Sequence, residues 1–183
     1  MIEVAGDLWT LPTDDMPTLR LITTNGQTRT DNAAVMGRGC ARQARERLPA
    51  LDHKLGALIT QHGNRVMRLC ALDDGSHLAS FPVKYHWREP ADLALIETSA
   101  HQLVDLADKF GYTRIYLPRP GTGAGRLDYD SAVRPVLERI LTDERFAIVN
   151  YPSTRNRGGS RPPIPAGYRV RSSSATGPPP PRR

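Results

Sequence analysis

Residues 118–133 read PRPGTGAGRLDYDSAV and place three glycines at alternating positions directly after a short apolar run. Tyr116 and Leu117 are predicted to end a strand, and a helix is predicted over residues 131–141. The glycine loop therefore connects a strand to a helix at the carboxyl end of the strand, where ligands bind in open α/β sheets. Glycines let backbone N–H groups approach an anion closely, and the helix N-terminus adds partial positive charge. The pattern predicts a diphosphate site, although a structural turn uses glycines in the same way.

The glycine loop alone does not decide between a diphosphate site and a structural turn. It lacks the Gly-Lys-Ser/Thr ending of a P-loop, and its third glycine comes one residue too early for the dinucleotide fingerprint. Two further segments help to decide. In 32-NAAVMGRGCARQARERLP-49, however, Gly37 and Gly39 flank Arg38 as a helix begins. Two glycine-bearing helix starts can clamp one diphosphate from both sides, and the alternative is a close-packed helix start. Asp7, directly after the first apolar run, can accept a hydrogen bond from adenine N6 or act as an ordinary turn aspartate.

The rest of the chain alternates short apolar runs with helical patterns. A helix whose apolar face runs from Leu93 to Phe110 would carry Pro90 in its first turn and end at Gly111. Further helices are predicted over about 33–47, 51–58 and 131–141. Strands are predicted over residues 2–5, 18–24, 65–72, 77–81, 113–117 and 146–151. Strands that alternate with helices indicate a layered α/β domain.

Charge and composition divide the chain in two. Seven of the 25 Lys and Arg residues lie in residues 152–183, which leaves 18 basic and 19 acidic residues in residues 1–151. The C-terminal segment also contains eight of the 16 prolines and no acidic residue. Such a segment cannot bury enough apolar area to offset chain entropy. We therefore predict one domain over residues 1–151 and a mostly disordered tail over 152–183, which is either only solvated or a weak tether to nucleic acid or to an acidic partner.

Several classes of protein are disfavoured by the sequence. Cys40 and Cys70 are the only cysteines, and the five histidines are scattered, so a disulfide scaffold or a zinc site is not expected. No apolar run reaches membrane length, and the N-terminus MIEVAGDLW lacks a signal-peptide core. The composition indicates a cytoplasmic protein without a membrane contact.

Taken together, these features resemble a macrodomain, the α/β fold that binds ADP-ribose. The match covers roughly residues 1–151 and implies a three-layer α/β/α domain with a mixed central sheet. The motifs that carry it, in order along the chain, are Gly6-Asp7-Leu8, Thr24-Asn25-Gly26, Met36-Gly37-Arg38-Gly39 and the loop from Gly121 to Leu127. Two runs, 81-FPVKYHWREPADL-93 and 125-GRLDYDSAV-133, are most similar to the branch of DNA ADP-ribosyl glycohydrolase antitoxins and terminal ADP-ribose protein glycohydrolases.

The resemblance implies a role for each matching position. Asp7 would hold the adenine amine, Tyr151 would rest against the adenine, and the two glycine segments would enclose the diphosphate and distal ribose. Lys84 matches the lysine that attacks or stabilises the anomeric carbon, and Asp128 matches the acid that assists departure of the modified group. The expected ligand contacts are Asp7, Leu8, Asn25, Asn32, Gly37, Arg38, Gly39, Cys40, Gly121, Thr122, Gly123, Ala124, Gly125, Arg126, Leu127 and Tyr151.

The sequence departs from the pattern of the branch in three places. The usual Val-Asn-x-x-Asn motif is not intact, so either Asn25 or Asn32 could reach the distal ribose. Arg126 replaces a glycine and could clamp phosphate or narrow the distal pocket. Tyr129 stands where the branch prefers tryptophan. These departures concern the choice of substrate more than the class of ligand.

The chemistry at Lys84 has its own requirement. A lysine amine that attacks an anomeric carbon must be neutral, which needs a pKa depressed by burial or by a cationic neighbour such as Arg88 or Arg126. The alternatives are a surface lysine at position 84 and a helix N-cap at Asp128. Lys84 differs from Lys54 and Lys109 in its apolar and aromatic sequence context.

Three functions are compatible with these expectations. The first is a monomeric hydrolase that needs no cofactor and removes ADP-ribose from a modified DNA base or acidic protein side chain. The second is a module that binds ADP-ribose without turnover. The third is a phosphatase that acts on ADP-ribose 1″-phosphate. The Lys84 and Asp128 pair favours the first, and the basic tail mildly favours a nucleic-acid substrate.

Overall fold

The computed structural model of the chain describes residues 1–151, and the tail predicted for residues 152–183 lies outside the described residues. The described strands are β1 (Ile2–Ala5), β2 (Thr18–Asn25), β3 (Met67–Ala71), β4 (His77–Lys84), β5 (Arg114–Pro118) and β6 (Phe146–Asn150). The α-helices are α1 (Gly39–Arg47), α2 (Leu51–His62), α3 (Leu93–Phe110) and α4 (Arg134–Ile140). All six predicted strands are confirmed, and no strand end differs from the prediction by more than three residues.

The strands form a single mixed sheet in the order β1-β6-β5-β2-β4-β3. Every neighbouring pair is parallel except β3 and β4, which are antiparallel. The first and last strands therefore lie side by side at one edge, with Ile2 opposite Ala147 and Ala5 opposite Asn150. The carboxyl ends of five strands meet at one edge of the layer, which is where the sequence places its glycine loops.

Helices cover both faces of the sheet. Side chains alternate along β6, so Phe146 and Ile148 join the core under α3 and α4, while Ala147 and Val149 join the core under α1 and α2. The middle strand β2 is divided in the same way between its two faces. The three-layer α/β/α arrangement with a mixed central sheet, expected from the sequence, is confirmed.

The start of the first helix is a correction to the sequence prediction. Residues 33–38 are extended or turned, and α1 begins only at Gly39. The backbone N–H of Ala34 donates to the Asp52 carbonyl at 2.8 Å, and that of Val35 donates to the Gln27 carbonyl at 2.9 Å. Because these donors are already used by neighbouring segments, the apolar run can be buried without forming a helix.

Three other helix boundaries also differ from the prediction. Helix α2 extends four residues beyond the predicted end and stops at Gly63. Pro90 lies before α3 rather than in its first turn, since the Asp92 side chain caps the helix by accepting from the Leu95 N–H. The last helix begins with a π-helical turn over Tyr129–Val133 before α4. Within residues 1–151, none of the helices has both the length and the apolar composition needed to cross a membrane.

Candidate functional site

A cavity of about 1000 Å³ opens at the carboxyl ends of the parallel strands. Five strand ends contribute to its wall, through Asp7 after β1, Asn25, Lys84, Arg119 and Tyr151. The early and late glycine segments line the same cavity, so one ligand can contact both. This meeting of distant segments was the central expectation from the sequence.

The first glycine segment joins the cavity to the start of α1. Arg38 has an extended backbone at the N-cap, and Gly39 adopts the left-handed conformation with a φ of 58°. The next residue, Cys40, accepts from the Thr23 N–H through its sulfur at 3.2 Å. Burial raises the pKa of the Cys40 thiol. This thiol is therefore an uncharged part of the wall and not a nucleophile at neutral pH.

The two candidate asparagines occupy different environments. Asn25 lines the cavity, and its side chain is held by a 2.8 Å bond to the Val35 carbonyl and a 3.0 Å bond from the Gln27 N–H. Asn32 is exposed and does not line the cavity. Its carbonyl oxygen packs so closely on α2 that a Cβ at Gly56 would lie 1.8 Å from it. Of the two alternatives, the structure places Asn25 at the cavity.

The second glycine segment forms a tight loop over α3. Gly121 and Gly123 are left-handed, with φ of 73° and 53°, and a short 3-10 helix follows over Gly123–Gly125. The Leu127 N–H donates to the Gly121 carbonyl at 3.0 Å, which closes the loop. Leu127 packs against the core and does not line the cavity, so it supports the loop from beneath.

Lys84 ends β4, and its side chain is enclosed between the segment that follows β4 and the second glycine segment. The residue is only 7% exposed, and its Nζ donates to the carbonyls of Glu89 at 2.8 Å and Ala124 at 2.9 Å. Burial, together with the positive charges of Arg126 and Arg38, lowers the pKa of Lys84 despite the opposing effect of Glu89. A neutral amine has two N–H donors, and both carbonyls can be satisfied while its lone pair stays available.

The backbone around Lys84 is held by residues that the sequence reading did not assign. The Lys84 carbonyl accepts from the Asn64 side-chain amide at 3.1 Å and from the Gly26 N–H at 3.2 Å. Two residues earlier, the Pro82 carbonyl accepts from the hydroxyl of Ser99, which is fully buried on α3. Residues far apart in sequence make these contacts, so no local pattern indicates them.

Asp128 lies outside the cavity lining and is exposed. Its Oδ1 accepts from the Ser131 N–H at 2.8 Å and from the Ser131 hydroxyl at 2.7 Å, which caps the last helical segment. The hydroxyl and backbone bonds from Ser131 lower the pKa of Asp128. A carboxyl group with a lowered pKa is ionised near neutral pH and is a poor proton donor. The geometry therefore favours the capping role over the acid role expected from the resemblance.

Substitution of Asp128 separates these two roles. In Asp128→Asn the side-chain oxygen still caps the helix, so we expect the melting temperature, and the rate of the ADP-ribose release that the resemblance implies, to stay near those of the parent. Asp128→Ala, which removes the cap, is expected to cost about 1 kcal/mol of unfolding free energy. Calorimetry and single-turnover release measure the two quantities. A loss of release by 100-fold or more in Asp128→Asn, at unchanged stability, would instead establish the acid role.

The opposite end of the cavity contains the residues expected to hold the adenine. Asp7 accepts from the Trp9 N–H through Oδ1 at 3.1 Å, and Leu8 beside it is buried. Tyr151 lines the cavity with 57% of its surface exposed. A carboxylate and an exposed aromatic ring at the same cavity suit a base that is both stacked and bonded at its edge.

The cavity wall is strongly basic. Besides Lys84, the part of the wall formed by residues 1–151 contains one acidic residue, Asp7, and four arginines, Arg38, Arg88, Arg119 and Arg126. Arg88 lies over the exposed ring of Trp87 at 4.8 Å from its centroid. Trp87 belongs to one of the motifs that carry the resemblance but has no role implied by it, and Arg119 is not among the predicted site residues. The signal for Arg119 is its position directly after β5.

Comparison with solved structures identifies the fold. The macrodomain of Mycobacterium tuberculosis DarG matches with a TM-score of 0.63 at 24% identity, over 82% of this chain and 96% of that one. The macrodomain of Thermus aquaticus DarG matches with a TM-score of 0.64 at 24% identity, over 82% and 97%. The chain has a macrodomain fold. The fold implied by the resemblance is thereby confirmed.

Further similarities are to a DarTG structure and to two curated glycohydrolases. Thermosipho africanus DarTG in complex with ADP-ribose matches with a TM-score of 0.64 at 22% identity, over 83% of this chain and 41% of that chain. The curated relatives are DNA ADP-ribosyl glycohydrolases of M. tuberculosis and M. bovis, each 26% identical over 132 residues, or 69% of this chain. The matched region spans 37% of the length of those relatives. No protein-family model matches the sequence.

Proposed function

We propose that this macrodomain binds ADP-ribose in the basic cavity and hydrolyses the bond between its distal ribose and a modified DNA base. The observation that carries the proposal is Lys84, an enclosed lysine that lines the cavity and whose Nζ donates to the Ala124 carbonyl of the second glycine segment. A reader module needs no buried amine with a lowered pKa at this place. The names of the relatives and the T. africanus complex with ADP-ribose support the same ligand class.

The cavity offers a partner for each part of ADP-ribose. Asp7 and Tyr151 suit the adenine, as hydrogen-bond acceptor and stacking ring. The start of α1 at Gly39 supplies backbone N–H groups and a partial positive charge for the diphosphate, and Arg38 and Arg126 add full charges. This arrangement directs the distal ribose toward Lys84.

The reaction at Lys84 follows from its protonation state. The neutral amine attacks the anomeric carbon, an N–C bond forms, and the glycosidic bond to the base breaks with the electron pair leaving on the base. The proton released by the lysine adduct passes to solvent or to the departing base. Water then hydrolyses the adduct, which frees ADP-ribose and regenerates the amine.

Binding of ADP-ribose is the first test. A ligand that binds only the native state raises the melting temperature in proportion to the logarithm of its concentration over Kd, so we expect a clear shift at millimolar ADP-ribose. Asp7→Ala is the matched control, because it removes the proposed adenine contact and leaves the rest of the wall. Absence of a shift for the parent protein at millimolar ligand would contradict the proposed function.

The nature of the modified group is the second test. Exposed Trp87 with Arg88 over its ring is a combination that binds unstacked bases and phosphates. Side-by-side incubation should release ADP-ribose from ADP-ribosylated single-stranded DNA faster than from protein modified on acidic side chains. Trp87→Ala should raise KM for the DNA about tenfold and leave Kd for free ADP-ribose unchanged. Equal effects on both quantities would argue against a base-stacking role.

Two alternatives are outcomes of the same incubation. A reader module would bind ADP-ribose and release none from either substrate. A phosphatase would liberate inorganic phosphate from ADP-ribose 1″-phosphate. The cytoplasmic location, the monomeric state and the nucleic-acid contact of the tail stay predictions.

A further inference from the structure

A buried arginine lies in the middle of the sheet, behind the adenine end of the cavity. Arg20 on β2 is 1% exposed. Its Nε donates to the Ser76 hydroxyl at 3.2 Å, one terminal nitrogen donates to the Leu8 carbonyl at 2.6 Å, and the other donates to the Leu11 carbonyl at 2.7 Å and to Asp74 Oδ2 at 2.8 Å. The guanidinium therefore ties the segment after β1 to the turn between β3 and β4.

The fold itself does not require a charge at this position. Apolar residues of similar volume generally stabilise a core as well as a buried ion pair does, because two charges must be desolvated. Ile22, two positions along on the same face of β2, is an apolar core residue. Unlike an apolar residue, Arg20 donates hydrogen bonds to two carbonyls of the loop after β1, those of Leu8 and Leu11.

That loop carries the proposed adenine contact. The Asp7 carbonyl accepts from the Thr10 N–H at 3.0 Å and from the Leu11 N–H at 3.2 Å, so residues 7–11 form a tight turn. Asp7 Oδ1 is held by the Trp9 N–H, and no hydrogen bond to Oδ2 occurs within residues 1–151. Because Arg20 anchors Leu8 and Leu11, it sets the orientation of the turn and hence the direction of Oδ2.

We infer that Arg20 is a positioning residue that gives the cavity its selectivity for adenine, by holding the Asp7 turn against the β3–β4 turn. This inference rests on the proposed function, in which Asp7 accepts from the exocyclic amine. The carboxylate of Asp7 attracts an amine at position 6 of a purine and repels a carbonyl oxygen there. Selectivity then depends on the exact placement of one oxygen, which Arg20 secures from behind.

The Asp74 carboxylate balances the charge of the Arg20 guanidinium and keeps it in place at neutral pH. Burial alone would raise the pKa of Asp74, but hydrogen bonds from Ser76 and Arg20 hold it below its usual range. Asp74 Oδ1 also accepts from the Ser76 N–H and hydroxyl, at 3.0 and 2.6 Å. The β3–β4 turn is therefore a preformed acceptor for the guanidinium.

The experiment compares two ligands on the full chain. ADP-ribose and inosine diphosphate ribose, in which a carbonyl oxygen replaces the adenine amine, are titrated calorimetrically. We expect the parent protein to prefer ADP-ribose by about tenfold, the usual effect of one hydrogen bond to a charged group. Arg20→Lys keeps the charge but cannot reach all four acceptors from one nitrogen, so the preference should fall to about twofold or less.

Two further variants keep the test decisive. Val136→Ala, on α4 and outside the cavity lining, lowers stability without touching the turn and should keep the full preference. If Arg20→Lys does not fold, Asp74→Asn replaces it, since it weakens the anchor and should lower the preference about threefold.

The outcomes distinguish failure of the proposed function from failure of the inference about Arg20. A parent protein that binds neither ligand defeats the proposed function. A parent that binds both ligands equally, or an Arg20→Lys or Asp74→Asn variant that keeps the full preference, overturns the inference alone.

Discussion

Replacement of Lys84 by methionine is expected to reduce release of ADP-ribose at least about 1000-fold, because no amine remains to attack the anomeric carbon. Methionine keeps most of the buried stem, and it removes a charge whose desolvation lowers the pKa of Lys84. Methionine also leaves the Glu89 and Ala124 carbonyls without the Nζ donor, so the two effects oppose each other and the free energy of unfolding should change by less than about 2 kcal/mol. Single-turnover release from ADP-ribosylated DNA measures the first effect, and chemical denaturation measures the second.

Lys84→Arg is the matched control for charge. Arginine keeps a positive group near the ligand but stays protonated at any accessible pH, so it should be as inactive as methionine while still binding ADP-ribose. Turnover by Lys84→Arg within tenfold of the parent would show that the charge stabilises the transition state without a covalent step. Loss of ADP-ribose binding in both variants would show that Lys84 is a binding residue.

The pH dependence of the parent protein should report the same group. Since burial and the neighbouring arginines lower the pKa of Lys84, the neutral amine forms at a pH below the 10.5 of an ordinary lysine. The release rate should rise with pH through that lowered pKa and then level. The free energy of unfolding should also rise with pH. Between the lowered pKa of Lys84 in the folded protein and the ordinary lysine pKa, the unfolded chain binds more protons than the folded protein, so raising the pH favours the folded state. The rise should be absent in Lys84→Met.

Gly121→Ala is expected to have the second-largest effect, on stability and on ligand affinity together. The residue is left-handed with a φ of 73°, and a Cβ would lie 2.8 Å from the Ile96 Cδ1 and 3.2 Å from the Ala91 Cβ. Strain and overpacking together should cost about 2–4 kcal/mol of unfolding free energy. Because the loop must move away from α3, affinity for ADP-ribose should fall at least about tenfold.

Two other glycines in the same cavity separate strain from crowding. Gly123 is also left-handed, but a Cβ there would meet no atom within 4 Å, so Gly123→Ala should cost only about 1 kcal/mol. Gly37 is neither left-handed nor crowded, and Gly37→Ala should leave stability unchanged. Denaturation curves of the three variants provide the comparison. Equal losses at positions 121 and 123 would contradict the crowding at Ile96.

The strands could be predicted from the sequence because their burial is a local property. In each short apolar run, such as residues 146–151, successive side chains face opposite sides of the sheet, and both sides are buried. In a small domain, a short run with this pattern is accommodated only as a strand inside the sheet. The start of α1 could not be predicted. Residues 33–38 have helical composition, but their backbone bonds are made by Gln27 and Asp52, which only the folded chain brings near.

The candidate site likewise contains some residues that the sequence indicates and others that only the structure reveals. The glycine segments could be predicted from the sequence because close backbone approach to an anion depends on residue type, whereas Lys84 was matched through the resemblance and stays a prediction as a catalytic residue. Asp128 was matched by motif alone, and only the structure places its carboxylate on Ser131 instead of the cavity. Arg20 gave no signal, since a lone arginine in a strand pattern reads as an exposed residue until its four partners are in place.

The pairing of β1 with β6 joins the two ends of the described chain, and the Met1 amine donates to the Leu141 carbonyl across 140 positions. The cavity wall accordingly draws on Asp7 and Tyr151 at once. During synthesis on the ribosome the cavity cannot form until nearly all of these residues have emerged, because β1 can pair with β6 only after β6 has been made. We expect this long-range closure to make folding slow and ligand affinity all-or-none, with no shorter fragment retaining partial binding.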